Sequence, residues 1–206
     1  MVTAPFTRPR VITDPPGEPQ SNMDRDESLA ESVRRGGFPP TLRLYGWTRP
    51  AISLGRRQQP DDLPPAILKR SLPMVRRPTG GGAVLHDLDE LTYAFCAGRA
   101  HLPQGLVYRQ LPVLLHRSLV RLLVDRGWVA EGELQVAGRD PSGPAPLCFS
   151  APACGDLLYH GRKVAGAALR VWKEGILLQG SIQGLPIRRD RLVEAFLSLS
   201  EEAAWL

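Results

Sequence analysis

The chain has 206 residues, 43% hydrophobic and 23% charged, with a formal charge of +5 and only 6% aromatic residues. A length near 200 favours one domain with a full core, and this composition excludes wholesale disorder. No run approaches the roughly 18 apolar residues of a membrane helix, and the opening MVTAPFTRPR lacks a signal-peptide core. In chain order, residues 1–20 hold five prolines and read as a mobile lead-in with one edge strand at Arg10–Thr13. Ser21 then opens a helix, with Asp24 three residues on as an approximate capping box and Gly36-Gly37 as its stop. Thr41–Trp47 and Ala51–Leu54 read as strands, with a short helix around Pro65–Arg70 and a further strand at Leu91–Cys96. Leucines 111, 114, 115, 119, 122 and 123 recur at helical spacing up to Gly127. Residues 131–146 read as a loop. Leu157–Tyr159, Lys163–Trp172 and Ile176–Ile182 form a strand meander turning at His160-Gly161 and Glu174-Gly175. Arg189–Leu199 closes the chain as an amphipathic helix. The pattern is α+β: a mixed, mostly antiparallel sheet with flanking helices, in one domain over 21–206.

Three cysteines, Cys96, Cys148 and Cys154, match neither a disulfide framework nor a zinc pattern, which points to thiols in a reducing cytoplasm and to no metal site. The basic charge is scattered and has few aromatics beside it, so no nucleic acid is expected as partner, and an acidic protein suits the charge better. All 26 basic residues except Lys69, Lys163 and Lys173 are arginine. A lysine in this chain is therefore singled out for its compact ammonium.

Three segments offer chemistry. In Arg76-Arg77-Pro78-Thr79-Gly80-Gly81-Gly82 the glycines let backbone approach a ligand, and the paired arginines offer forked donors; the alternative is a hairpin loop with solvated arginines. Lys163 begins a strand whose Ala165, Gly166, Ala167 and Ala168 leave room against it, so its ammonium either projects into a cleft or lies exposed on a hairpin. Cys148 follows a proline-rich loop and is either a nucleophile or a core thiol.

Taken together, these segments resemble the lipoate–protein ligase and octanoyltransferase superfamily. Its Arg-Arg-x-Ser/Thr-Gly-Gly-Gly-x-Val-x-His-Asp hallmark is reproduced by RRPTGGGAVLHD at 76–87, and Tyr93 in LTY continues it. Its lysine motif is similar to DLLYHGRKVAGAAL at 156–169, and ILLQGSI at 176–182 is similar to a strand that usually reads His-Gly-Ser-Ile. The resemblance implies the fold of biotin and lipoate ligases and class II synthetases, with an acyl chain in a tunnel. Arg76, Arg77, Thr79, Gly80, Gly81, Gly82 and His86, with Gly166 and Ala168, would bind it. Lys163 would be the motif lysine at the acyl carbonyl. His86 either helps position or deprotonate a nucleophile or only pins the glycine loop.

Two chemistries share this fold. Ligases spend ATP and Mg²⁺ on a lipoyl-adenylate; transferases take octanoyl from acyl carrier protein through a cysteine and need no cofactor. One transferase branch carries Cys-Phe-x-x-Pro before the lysine motif, and Cys148-Phe149-Ser150-Ala151-Pro152 matches it. The resemblance thus implies octanoyl transfer through Cys148 and Lys163 to a lipoyl domain or the glycine cleavage H protein; a monomer is the simplest expectation. An ATP-dependent ligase with a separate accessory subunit is the alternative. Gln179, where the family often has histidine, and Ala153-Cys154-Gly155 depart from the pattern.

Overall fold

A computed structural model describes residues 7–138 and 146–202. Residues 1–6 of the expected lead-in and 139–145 of the expected loop lie outside the described residues. The edge strand expected in the lead-in forms with the expected bounds. Strand β1 (Arg10–Thr13) runs parallel to β2 (Thr41–Tyr45), with Val11 opposite Leu42. Helix α1 (Pro19–Arg34) starts two residues before Ser21, because Pro19 at its first position presets the helical φ while Glu18 is the extended N-cap. Asp24 accepts from Gln20 Nε2 at 2.7 Å and closes no capping box.

Strand β3 (Ala51–Leu54), helix α2 (Pro65–Leu68), strand β4 (Met74–Arg76) and strand β5 (Val84–His86) follow. They give a small sheet of order β4-β3-β5. Next come β6 (Leu91–Gly98), α3 (Leu111–Asp125) and β7 (Leu134–Val136), then β8 (Leu157–Tyr159), β9 (Arg162–Val171), β10 (Gly175–Ile182) and α4 (Arg189–Glu202). Strand β7 lies inside the expected loop: Leu134 and Val136 add an antiparallel edge opposite Tyr159 and Leu157. The main sheet runs β1-β2-β6-β10-β9-β8-β7, antiparallel except for β1 with β2.

Every residue of β6 and β10 is buried, as expected for central strands covered on both faces. On one face α1 packs Met23, Ala30 and Val33 against Tyr45, Ala94, Cys96 and Leu177. On the other, the leucine stripe of α3 and Leu192 and Phe196 of α4 close the larger core. Burying one such leucine is worth roughly 1.5–3 kcal/mol. Tyr93 lies across Gly180 on this face: a Cβ there would stand 2.1 Å from its ring, so position 180 has no room for a side chain.

Candidate active site

The small sheet supplies the glycine loop as a roof over the main sheet. Arg77 is its strut. Its buried guanidinium donates to Ser53 O at 2.8 Å, Gly80 O at 2.5 Å and Gly82 O at 2.7 Å. Burial presses this group down to about 10, while the neighbouring Cys148 pulls it back up, so it stays cationic at neutral pH. Gly81 has φ +87° directly over the Arg77 guanidinium, a conformation that suits glycine. Thr79 ties the loop to β10 through a 2.8 Å hydrogen bond to Gln179 Oε1, and Gln179 Nε2 donates to Asp26 at 2.7 Å. Burial raises the Asp26 carboxyl, although Arg43 beside it favours the charge. Arg76 points elsewhere: it donates to the carbonyls of Gly55, Arg56 and Gln58 and pins that turn.

His86 stacks on Trp47 with ring centres 3.8 Å apart. Its Nδ1 meets Glu90 and its Nε2 meets Ser53 Oγ, each at 2.7 Å. Burial alone would raise Glu90, but His86 and hydrogen bonds from Thr92 and the Asp87 N–H hold it below the usual range. Nδ1 donates to the Glu90 carboxylate, and both ring nitrogens are engaged with protein partners.

Beneath the roof lies a mostly apolar pocket lined by Met23, Trp47, Val84, Cys148, Gly166, Ala168 and Gly180, with Arg77 and His86 among its walls. Cys148 enters it because its N–H donates to Ala83 O at 2.8 Å, just past the glycines. Lys163 comes from the opposite side. Its Nζ is 2.6 Å from Asp156, 2.6 Å from Cys148 O and 3.4 Å from Cys148 Sγ. Lys163 and Asp156 side chains are 4% and 5% exposed, so the pair is shielded from solvent screening.

A register shift makes this meeting possible. Residues three apart on a regular strand face opposite sides. Between Leu157 and Leu158 the pairing slips by one, from Ala165 to Lys163, so β9 carries an extra residue and Lys163 shares a face with Gly166. Cys96 stays in the core, where burial pushes its thiol far up, and Cys154 is exposed. Of the sequence-singled residues, Cys148, Lys163, Arg77, Thr79, His86, Gly166, Ala168 and the glycine loop converge, and Arg76 does not. Asp156 was legible only as the first letter of the lysine motif. Ser53, Glu90 and Asp26 gave no signal.

A profile of the lipoyl protein ligase A/B catalytic domain matches residues 18–183. The chain belongs to this family. It is 35% identical over 188 residues to an octanoyltransferase LipM of Oceanobacillus iheyensis and 38% identical over 186 residues to that of Anoxybacillus flavithermus. These matches cover 90% and 86% of this chain, and 67% and 66% of the relatives, so it spans about two thirds of their length. The family and these relatives support a lipoyl(octanoyl) transferase. In fold it is similar to a T. acidophilum protein described as a lipoate protein ligase with bound lipoic acid, at TM-score 0.75 and 18% identity over 96% of this chain and 86% of that one. It is likewise similar to a lipoate-protein ligase A bound with ATP, at TM-score 0.65 and 18% identity, covering 96% and 85%. Among the described residues no helix is long and apolar enough to cross a membrane.

Proposed function

We propose that this protein takes an octanoyl chain from acyl carrier protein onto Cys148 and passes it to a lysine of a lipoyl domain or of the glycine cleavage H protein. The observation that carries this reading is Lys163 Nζ at 3.4 Å from Cys148 Sγ, at the wall of a mostly apolar cavity. The ammonium thus faces the sulfur that this reading makes the nucleophile. The thiolate attacks the donor thioester; a carbon–sulfur bond to Cys148 forms, the bond to the carrier breaks, and the carrier leaves as a thiolate that takes up a proton. The neutral amine of the acceptor lysine then attacks the Cys148 thioester. An amide forms, the carbon–Sγ bond breaks, the amine loses a proton to solvent, and Cys148 is regenerated. No cofactor enters this sequence.

In both steps negative charge develops on the acyl oxygen, and Lys163, beside the sulfur, is a cation placed to meet it. Asp156 keeps the ammonium in place, and the glycine roof held by Arg77 covers the chain. Val84, Trp47 and the small residues of β9 supply an apolar bed for it.

The test is an intact-mass spectrum of an apo lipoyl domain incubated with this protein and octanoyl-acyl carrier protein without ATP. Octanoylation that disappears in Cys148→Ala is the expected result. Modification only with free lipoate, ATP and Mg²⁺, unaffected by Cys148→Ala, would make the protein a ligase and end this reading.

A further inference from the structure

Behind the site, in the core, lies a second polar chain that the mechanism above does not use. Tyr93 Oη is 2.7 Å from His116 Nε2, and His116 Nδ1 is 2.5 Å from Gly155 O. Both side chains are fully buried. Their protonation follows from the partners. The Gly155 carbonyl can only accept, so Nδ1 carries the hydrogen and donates it; Nε2 is then bare and accepts from the Tyr93 hydroxyl. Burial holds the imidazole neutral, its pKa lowered to about 4, and Lys163 nearby disfavours a second cation further.

Gly155 is the residue before Asp156, and the turn they share is tightly framed. Gly155 N–H donates to Ala137 O, Ala137 N–H donates to Asp156 O, and the Asp156 carboxylate accepts from the Ala153 N–H. Gly155 has φ +91°, and a Cβ there would stand 3.1 Å from Val113 and 3.2 Å from Pro112 in the first turn of α3. Helix α3 reaches this turn with the His116 side chain, one helical turn further on.

We infer that His116, oriented by Tyr93, is a positioning residue: it fixes the Gly155 carbonyl, and thereby Asp156, so that the Lys163 ammonium is held against Cys148. The route is contiguous, from Tyr93 on β6 to His116 on α3, to the Gly155–Asp156 turn, to Lys163 on β9, to the sulfur. It rests on the reading of Cys148 and Lys163 given above, and it adds a residue that the leucine stripe of α3 hides.

The experiment follows the alkylation of Cys148 by iodoacetamide across pH, read at its own peptide by mass spectrometry because Cys154 is exposed. Removing the ammonium that faces the sulfur is expected to slow its alkylation at neutral pH by about tenfold. Lys163→Met sets that limit. His116→Leu is expected to approach it. His116→Gln, whose amide can donate to Gly155 O and accept from Tyr93, is expected to stay near wild type. Leu119→Ala opens a cavity on the same helix without touching Gly155; it lowers stability and is expected to leave the titration unmoved. Should His116→Leu fail to fold, Tyr93→Phe keeps the ring and removes the hydroxyl, and an intermediate slowing is expected. Wild-type titration in His116→Leu or Tyr93→Phe, or an equal shift in Leu119→Ala, would overturn the proposal. Failure of wild-type protein to take octanoyl from its carrier would sink the transfer reading and leave this measurement standing.

Discussion

Lys163 crosses directly over Gly166. A Cβ built on Gly166 would lie 2.8 Å from Lys163 Cε and 2.9 Å from Asp156 Oδ1, inside any normal contact. The glycine is therefore the floor on which the ion pair rests. Gly166→Ala forces the two side chains aside, with a stability loss of about 1–3 kcal/mol as in other overpacked sites. Because misplacing a reacting group by 1 Å can cost on the order of a hundredfold, octanoyl transfer is expected to fall by about that factor. Chemical denaturation and single-turnover transfer separate the two effects.

Asp156→Asn removes the negative charge that pairs with the buried Lys163 ammonium and leaves that cation uncompensated. Breaking one side of a buried pair is costly, about 3–5 kcal/mol. The double variant Asp156→Asn/Lys163→Met removes both charges and is expected to recover part of that stability while remaining inactive. A urea titration of the two proteins checks the order.

Gln179→Leu strips the Thr79 hydroxyl of its acceptor and Asp26 of a donor in one change. An unsatisfied buried polar group costs about 1–3 kcal/mol. The glycine loop loses its tie to β10, so KM for the acyl donor is expected to rise more than kcat falls. Steady-state kinetics with octanoyl-acyl carrier protein reads the split.

Acid acts through His116. Its folded pKa of about 4 lies below the ordinary 6.5, so the unfolded chain binds a proton that the folded one refuses. The associated stability is fully present above pH 6.5 and is lost as pH falls from 6.5 towards 4, by about 3 kcal/mol in all. Glu90, held below its usual range, works in the same direction only below about pH 4.5, so the upper part of the window belongs to His116. Wild type and His116→Gln, compared by denaturation at pH 7 and pH 5, are expected to show the larger drop in wild type.

Much of this site was legible because its chemistry is written in runs: two arginines, three glycines, and a lysine among alanines. The α3 leucines likewise announced a helix by period alone. What escaped has a common cause in tertiary context. Leu134–Val136 is too short to show alternation and becomes a strand only because β8 offers an edge. Adjacent Arg76 and Arg77 are equivalent in sequence, yet strand alternation sends one to the 55–58 turn and the other under the loop. The slip opposite Leu157 leaves no mark on the letters, although it decides where Lys163 points. His116 sits between leucines and reads as one more inward position, since the turn that receives its proton is 39 residues away.

The roof and the floor of the cavity belong to different sheets: β3, β4 and β5 form a ladder that shares no strand with the seven-stranded one. They meet at a seam that side chains cross, such as Thr79 on Gln179 and Gln183 on the Leu85 carbonyl. Each sheet keeps its own backbone ladder, so the space between them is shaped by the side chains that line it and not by a shared strand.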